Sequence, residues 1–376
     1  MHICSYFKKL DWRFFPVIIS LMFISLLIIS SMDFSANDRQ GHFFGPKTLG
    51  QLKHFILGWG VFFLVARYDY AKLKDTSILL YGVVIVALLG VFFVPSIQNV
   101  HRWYRVPFIG MSLQPSEYAK PALIIILSSF LDKKEEEASS LKTAITAISI
   151  IFLPFILILK EPDLGTALVL IPITLGVFYL GNVKASIVKI GSYGGLVGLL
   201  LILAIFIGPL APEVIQPYAQ KILKPYQYAR LMPNNHHQWA SVTAIGTGGV
   251  FGKGWRSGDF AGRGWLPYAH TDSVFSAFGE EFGLVGMVFL LGLFYSLIYF
   301  SCQITAVAKD SFGRLLSAGI TVYMAVHILI NIGMMCGLLP VTGVPLIMVS
   351  YGGSSVVATM GALGLLQSVY SRRFTP

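Results

Sequence analysis

Five acidic side chains adjoin or lie within long apolar segments: Glu117, Asp163, Asp272, Glu280 and Glu281. The chain has only 18 acidic residues, and an ionisable group at membrane depth is costly unless it is paired or hydrated. Each of the five is therefore a candidate functional residue. Asp272 lies where a long polar segment meets an apolar one, and partial desolvation there would raise its basicity, as a general base requires. Capping of the following helix by Thr271 or Asp272 explains the same position equally well.

A basic and aromatic motif, His101-Arg102-Trp103-Tyr104-Arg105, precedes Gln114-Pro115-Ser116-Glu117-Tyr118-Ala119-Lys120-Pro121. Glu117 and Lys120 are three residues apart, which places them on one helical face. These residue types indicate an outer phosphate site at Arg102 beside a buried ion pair. An interface anchor followed by a helix that Ser116 caps is an equally good interpretation.

The motif Glu161-Pro162-Asp163-Leu164-Gly165-Thr166 separates two apolar segments. Proline and two acids cannot lie inside a lipid-exposed helix, so the sequence predicts a tight turn. Asp163 would then face the positive end of the next helix dipole. From these residues alone, that structural role is favoured over a functional one.

A glycine-rich stretch runs from Gly246 to Trp255-Arg256 and leads to His270-Thr271-Asp272 and Gly279-Glu280-Glu281. It fits neither of the common nucleotide-binding glycine motifs. The glycines favour a backbone that approaches a bulky ligand or lies flat at the interface, while Lys253, Arg256 and Arg263 could neutralise phosphates. On a straight helix, Asp272 and Glu280 would be about 12 Å apart, so the sequence predicts separate roles for them.

Prolines and glycines also interrupt the last apolar region, in Leu339-Pro340-Val341-Thr342-Gly343-Val344-Pro345 and Ser350-Tyr351-Gly352-Gly353-Ser354-Ser355. A broken helix at membrane depth is tolerated only where it is buried in protein or lines a cavity. His327 and Asn331 precede this region at helical spacing, and the pattern favours interhelical hydrogen bonds over a site.

Composition identifies the elements that must position these residues. Of 376 residues, 55% are hydrophobic and 12% are charged, with a net charge of +10. This excludes a soluble enzyme, a disordered chain and a nucleic-acid-binding protein, and it predicts an all-α polytopic membrane protein. We predict a single domain, residues 1–376, with about ten transmembrane helices: 14–32, 54–67, 77–94, 117–131, 143–160, 164–181, 190–208, 274–302, 315–336 and 352–370.

The basic residues predict the orientation of these helices. With both termini in the cytoplasm, 15 of the 28 Lys and Arg residues fall on that side, as the positive-inside rule requires. One long outer loop, residues 209–273, then joins the seventh and eighth helices. Its aromatic residues and glycines predict an ordered re-entrant or surface-lying structure.

Together these motifs resemble the SEDS family of shape, elongation, division and sporulation proteins, over nearly the whole chain and in the expected order. The resemblance implies peptidoglycan glycosyltransferase activity on lipid II at the outer face of the cytoplasmic membrane. It assigns the catalytic aspartate to Asp272. Ser273 stands where members commonly have phenylalanine, and the short tails are more typical of an elongation-type member than of a division-type one.

The implied reaction is an inverting glycosyl transfer in which Asp272 takes the proton of the acceptor hydroxyl. The residue types and the resemblance indicate this substrate-binding set: Arg102, Glu117, Lys120, Asp163, Lys253, Arg256, His270, Glu280, Glu281 and Ser354. No cofactor is certain. A divalent cation, Mg or Mn, could share the neutralisation of pyrophosphate, although no ligand cluster indicates one.

The expected partners are lipid II and undecaprenyl-linked glycan, a class B penicillin-binding transpeptidase and other membrane proteins of the elongation complex, and no nucleic acid. Two alternatives remain from the sequence. A lipid II flippase would use the same polar cavity, and a non-catalytic scaffold for the transpeptidase would need neither Asp272 nor the basic loop.

Overall fold

The computed structural model describes residues 9–33, 43–95, 101–106, 111–208 and 235–374. In chain order the elements are α1 (Phe14–Met32), α2 (Pro46–Arg67), α3 (Leu73–Gly90), β1 (Tyr104–Val106), β2 (Met111–Leu113), α4 (Pro115–Lys133), α5 (Leu141–Lys160), α6 (Leu164–Leu180), α7 (Ala185–Ile207), α8 (His236–Gly248), α9 (Asp259–Gly262), α10 (Val274–Ala306), α11 (Ser311–Met335) and α12 (Gly353–Ser371). Single 3₁₀ turns lie at Tyr70–Lys72, Val91–Phe93 and Glu135–Glu137.

The chain is a polytopic membrane protein built almost entirely from helices. Each of the ten predicted segments overlaps one of the long helices, and seven helices of the described chain are long and apolar enough to cross a membrane. α6 is apolar but has only 17 residues. α4 carries Glu117, Lys120, Asp132 and Lys133 within its 19 residues. Ten spans therefore remain a prediction, although all ten helices are present.

The structure differs from the predicted elements in three places. α2 begins at Pro46, eight residues before the predicted start, because its first two turns are polar while Pro46 supplies a favourable first position. Strands β1 and β2 form a short antiparallel hairpin with Arg105 opposite Ser112. Helices α8 and α9 lie within residues 209–273, where the sequence predicted one long loop and located no helix. Residues 209–234 of that loop lie outside the described part of the chain.

Helices differ sharply in how much protein surrounds them. α4 and α12 are buried along most of their length, whereas none of the described side chains of α7 is buried. α2 and α12 pack so closely that a β-carbon placed on Gly364 would lie 2.7 Å from the Phe62 carbonyl oxygen. Small residues commonly allow such close approach between membrane helices. The buried helices carry the polar motifs and the peripheral helices present apolar side chains outward.

The segment between α11 and α12 is non-helical but deeply buried. Residues 346–350 are all less than 5% exposed, and Met348 has a positive φ of 61°. Neighbouring helices satisfy its backbone: the Ser25 hydroxyl of α1 donates to the Val349 carbonyl at 2.7 Å, and the Gln51 amide of α2 donates to the Ser350 carbonyl at 3.2 Å. Non-helical backbone at this depth is thus buried in protein, as the sequence predicted.

Candidate active site

Asp272 lies in a turn immediately before α10, which begins at Val274. The N-cap residue of α10 is Ser273, not Thr271 or Asp272, and the Ser273 side chain makes no capping hydrogen bond. A β-carbon placed on Gly343 would lie 3.5 Å from Asp272 Oδ2. The carboxylate therefore faces the interrupted segment between α11 and α12, and a β-carbon at position 343 would be in van der Waals contact with it.

The interrupted segment also holds the turn by its backbone. The Tyr351 amide donates to the His270 carbonyl at 2.8 Å, and the Ser350 hydroxyl donates to the Thr271 carbonyl at 2.6 Å. The His270 ring packs edge-on against Tyr351, with centroids 6.0 Å apart. Burial lowers the pKa of His270, and Lys47 acts in the same direction, so the imidazole is neutral at pH 7. His270 thus supports the turn without adding a positive charge.

Ser273, which departs from the family pattern, forms a local polar link. Its buried hydroxyl donates to the Pro267 carbonyl at 2.8 Å and lies 2.6 Å from His237 Nε2. Because the hydroxyl proton is used by Pro267, the His237 ring donates to Ser273. This link ties α8 to the Asp272 turn, and a phenylalanine at position 273 could not provide it.

Glu117 and Lys120 form the predicted ion pair on α4. Lys120 Nζ lies 2.7 Å from Glu117 Oε1, and both side chains are almost completely buried. The ammonium also lies 3.0 Å from His327 Nε2 and 5.4 Å from the centre of the Tyr323 ring. Lys120 is therefore a paired interior cation and does not project into solvent. A paired charge is the form in which membrane-buried lysine is expected.

Asp163 caps α6 and collects hydrogen bonds from a second motif. Its carboxylate accepts from the Thr166 backbone amide at 3.3 Å, the Thr166 hydroxyl at 3.0 Å and the Gln114 side-chain amide at 3.0 Å. The structural role of Asp163 is thereby confirmed. The prediction that Ser116 caps α4 is wrong, because Ser116 lies inside the first turn and its hydroxyl points to Asp163 at 3.4 Å.

Two contacts connect this cluster to the interrupted segment. The Ser354 hydroxyl at the start of α12 accepts from the backbone amide of Gln114 at 2.9 Å and donates to the Ser112 carbonyl at 2.7 Å. A side chain at Gly165 would lie 2.6 Å from the Thr342 carbonyl, so only glycine allows α6 to begin there. Three motifs that are distant in sequence therefore meet at residues 342–354.

Arg102 is engaged by the turn between α5 and α6. Its guanidinium donates to the Glu161 carbonyl at 2.7 Å and to the Pro162 carbonyl. The Glu161 carboxylate itself is fully buried, and neither of its oxygens has a hydrogen-bond partner within the described residues. Burial, reinforced by Asp163, raises the pKa of Glu161 to about 8 despite Arg102. The sequence analysis did not select Glu161, because its charge was explained by the turn.

A separate cluster joins the glycine-rich stretch to α10. Lys253 Nζ lies 2.8 Å from Glu280 Oε1 and 3.1 Å from Asp259 Oδ2. The buried Glu280 carboxylate also accepts from the backbone amides of α9, at 2.8 Å from Asp259 and 3.1 Å from Phe260. Glu280 thus acts as an anchor for this loop, and the Lys253 ammonium is already paired with two carboxylates.

The glycines allow the loop backbone to meet the α10 backbone. The Lys253 and Gly254 amides donate to the Glu280 and Glu281 carbonyls at 3.0 and 2.9 Å, where α10 is interrupted at Gly283. A β-carbon on Gly252 would lie 2.2 Å from the Glu281 carbonyl oxygen. The close approach expected for a ligand is therefore made here by the protein itself. Arg256 stacks on Trp255 at 4.3 Å from the ring centre.

The predicted residues consequently fall into two groups. The first group lies around the interrupted segment and is linked through neighbouring residues: Asp272, His270, Asp163 and Ser354. Glu117 and Lys120 reach the same segment through His327. Lys253, Glu280, Glu281 and Arg256 form the loop cluster on α10. Across the described residues, no group of three or more His, Cys, Asp and Glu side chains could hold a metal ion. The divalent cation stays a prediction.

Fold and site together define a multi-pass membrane protein whose interior acids and bases converge on an interrupted helix. Residues 11–374 match the family described as "Cell cycle protein", FtsW/RodA/SpoVE. The chain belongs to this family, which is the SEDS family that its motifs resemble.

Curated relatives and a solved structure agree with this assignment. The peptidoglycan glycosyltransferase MrdB of Escherichia coli is 30% identical over 356 residues, covering 94% of this chain and 92% of its own length. Stage V sporulation protein E of Bacillus subtilis is 31% identical, with 97% and 99% covered. A solved structure, described as "Structural coordination of polymerization and crosslinking by a peptidoglycan synthase complex", has a TM-score of 0.75 at 25% identity and covers 98% of this chain and 99% of that one.

These likenesses identify the chain as a glycosyltransferase of the membrane. The relatives include a protein named for sporulation as well as MrdB, so the matches are compatible with the expected likeness to an elongation-type member without being exclusive to it.

Proposed function

We propose that this protein is a peptidoglycan glycosyltransferase that polymerises lipid II into glycan strands at the outer face of the bacterial cytoplasmic membrane, during cell-wall elongation. The observation that carries the proposal is the placement of Asp272. Its carboxylate lies in a braced turn at the end of a membrane helix, and its Oδ2 would lie 3.5 Å from a β-carbon placed on Gly343. The names of the relatives supply the substrate class.

In the proposed reaction, Asp272 takes the proton from the 4-hydroxyl of the acceptor lipid II. The resulting oxygen nucleophile attacks the anomeric carbon of the growing chain, the bond to the pyrophosphate breaks, and undecaprenyl pyrophosphate leaves. A carboxylate that is partly removed from water is a better base than one in solution. The fixed turn supplies the orientation on which such proton transfer depends.

Pyrophosphate needs positive charge, and the structure distinguishes the predicted cations. Lys120 is completely buried and paired with Glu117, so we assign it to holding the interior cluster together. Arg102, Lys253 and Arg256 are partly exposed. We assign to these three the stabilisation of the leaving pyrophosphate, an electrostatic contribution that is commonly large in catalysis.

The remaining predicted residues surround the same path. We propose that Asp163, His270 and Ser354 line the substrate site through the interrupted segment, and that Glu280 and Glu281 hold the loop that covers it. A divalent cation could supply further neutralisation of the pyrophosphate.

Polymerisation must be coordinated with crosslinking, as the description of the solved complex states for that assembly. We propose that a class B penicillin-binding transpeptidase is the partner of this chain, with other elongation proteins in the same membrane. We also propose ten transmembrane helices with both termini in the cytoplasm, which places the Asp272 turn at the outer face.

The test uses purified protein in liposomes, with and without its partner transpeptidase, supplied with labelled lipid II. We expect glycan polymer that depends on this chain. Lipid II that crosses the bilayer without forming polymer would instead support the flippase. A partner transpeptidase that is stimulated while no polymer forms and no lipid II crosses would support the scaffold.

A further inference from the structure

Three consecutive carbonyl groups of the Asp272 turn each accept a hydrogen bond from outside the turn. Tyr351 and Ser350 hold the carbonyls of His270 and Thr271. The third carbonyl, that of Asp272 itself, accepts from Asn331 Nδ2 on α11 at 3.0 Å. Hydrogen bonds to three successive peptide units leave the backbone of the turn little freedom to rotate.

Among these donors, the Asn331 side chain connects two parts of the site. It is completely buried, and its Nδ2 also donates to the Val344 carbonyl at 2.8 Å. Both partners are acceptors, so the orientation of the amide follows from chemistry. Val344 adjoins Gly343, which the Asp272 carboxylate faces. Asn331 therefore ties the main chain at residue 272 to the segment that the carboxylate faces.

One turn earlier on the same face of α11, His327 makes a parallel connection. Lys120 can only donate, so His327 Nε2 accepts from it and the ring proton resides on Nδ1, which points to the Pro345 carbonyl at 3.4 Å. The two side chains thus hold adjacent carbonyls of the interrupted segment. The interhelical hydrogen bond that the sequence predicted for this face is present between His327 and Lys120 of α4, and the same face also holds the interrupted segment.

We propose that Asn331 is a positioning residue for Asp272. It holds the main chain at residue 272 against the segment at residues 343–344, so that the carboxylate meets the acceptor hydroxyl in a productive geometry. This inference rests on the proposed function. Its expected size follows from the sensitivity of catalysis to placement, since an error of about 1 Å can lower a rate by about 100-fold.

The first variant is Asn331→Leu, which keeps the approximate volume and removes both donors. In the complex with its partner, we expect kcat for polymerisation of lipid II to fall by about 10- to 100-fold, with KM changed less than about threefold. If this variant does not fold, Asn331→Thr retains one donor and should give an intermediate kcat.

A double-mutant cycle separates positioning from mere stability. Asp272→Glu moves the carboxylate outward by about 1.5 Å, one carbon–carbon bond. In the wild-type background the rigid turn cannot compensate, whereas in the Asn331→Leu background it can shift. We expect the loss caused by Asp272→Glu to be at least about fivefold smaller in the Asn331→Leu background.

The matched control is Thr359→Val. It removes a different buried hydrogen bond to α11, the one that joins Thr359 of α12 to Tyr323 of α11 at 3.2 Å. The fold-losses of kcat caused by Thr359→Val and Asp272→Glu should multiply in the double variant. If the fold-losses caused by Asn331→Leu and Asp272→Glu also multiply, the inference is overturned. An active Asp272→Asn would instead overturn the proposed function, and an inactive Asp272→Asn with full-rate Asn331→Leu would overturn the inference alone.

Discussion

Asp272 shows how a single carboxylate acquires a defined role from its surroundings. It precedes Ser273, the N-cap residue of α10, its turn is held by donors from two other elements, and it faces Gly343. The sequence selected the residue because an acid at the edge of an apolar segment is unusual. The sequence could not show what the carboxylate faces, because Gly343 is about 70 residues away along the chain.

Glu161 is a buried acid that the sequence did not identify as a candidate functional residue. Its charge was explained by the predicted turn, yet the structure buries the carboxylate and raises its pKa to about 8. Burial depends on the approach of β1, α4 and α6, which no local pattern reveals. The acid is neutral at pH 7 and becomes charged above pH 8.

The stability of the protein should therefore depend on Glu161 in one direction. A raised folded-state pKa makes the protein most stable below the unfolded-state value of 4.5, and this stability is lost as pH rises through about 8. Between pH 6 and pH 9, we expect the unfolding temperature of the wild type to fall by about 1 to 3 °C more than that of Glu161→Gln. Thermal unfolding in detergent at both pH values measures this difference. Parallel changes in the two proteins would contradict the burial of the acid.

At the scale of elements, hydropathy located all ten long helices, because each requires a long apolar run. It missed the short hairpin and the polar start of α2, where the apolar signal is absent. Helices α8 and α9 were also missed as such. Their positions depend on Glu280, whose carboxylate accepts from the α9 backbone, and such a contact leaves no trace in local composition.

At the junction of the glycine-rich loop with α10, the two backbones are too close for a side chain at Gly252. Gly252 has a φ of +79° and would place a β-carbon 2.2 Å from the Glu281 carbonyl oxygen. Gly252→Ala should cost about 2 to 4 kcal/mol from strain and overpacking combined. We expect a lower unfolding temperature and faster proteolysis of the loop.

Gly262 provides the control for this substitution. A β-carbon there would meet no atom of the described structure within 4 Å, and its φ is not in the left-handed region. Gly262→Ala should leave both the unfolding temperature and the proteolysis rate close to those of the wild type. Equal behaviour of the two variants would show that the loop does not depend on this close approach.

At the scale of the whole molecule, we propose that one set of basic residues sets the orientation in the membrane and another serves the site. Fifteen of the 28 basic residues were assigned to the cytoplasmic side from sequence. The remaining basic residues include Arg102, Lys253 and Arg256, whose partners only the structure reveals: backbone carbonyls for Arg102, two carboxylates for Lys253 and an aromatic ring for Arg256.

The orientation predicts where introduced cysteines react. In a chain whose native cysteines are replaced, Arg263→Cys should react with a membrane-impermeant maleimide in intact cells. Glu136→Cys, in the loop between α4 and α5, should react only after permeabilisation. The reverse pattern would place the Asp272 turn in the cytoplasm and contradict polymerisation at the outer face.

The most direct test of the central claim compares glycan polymer made from labelled lipid II by the wild type and by Asp272→Asn, each in complex with the partner transpeptidase. Asp75→Asn, an exposed acid in the first turn of α3, is the matched control. We expect the loss of a general base to lower the rate by at least about 100-fold in Asp272→Asn while Asp75→Asn polymerises normally. Normal polymerisation by Asp272→Asn would contradict the account.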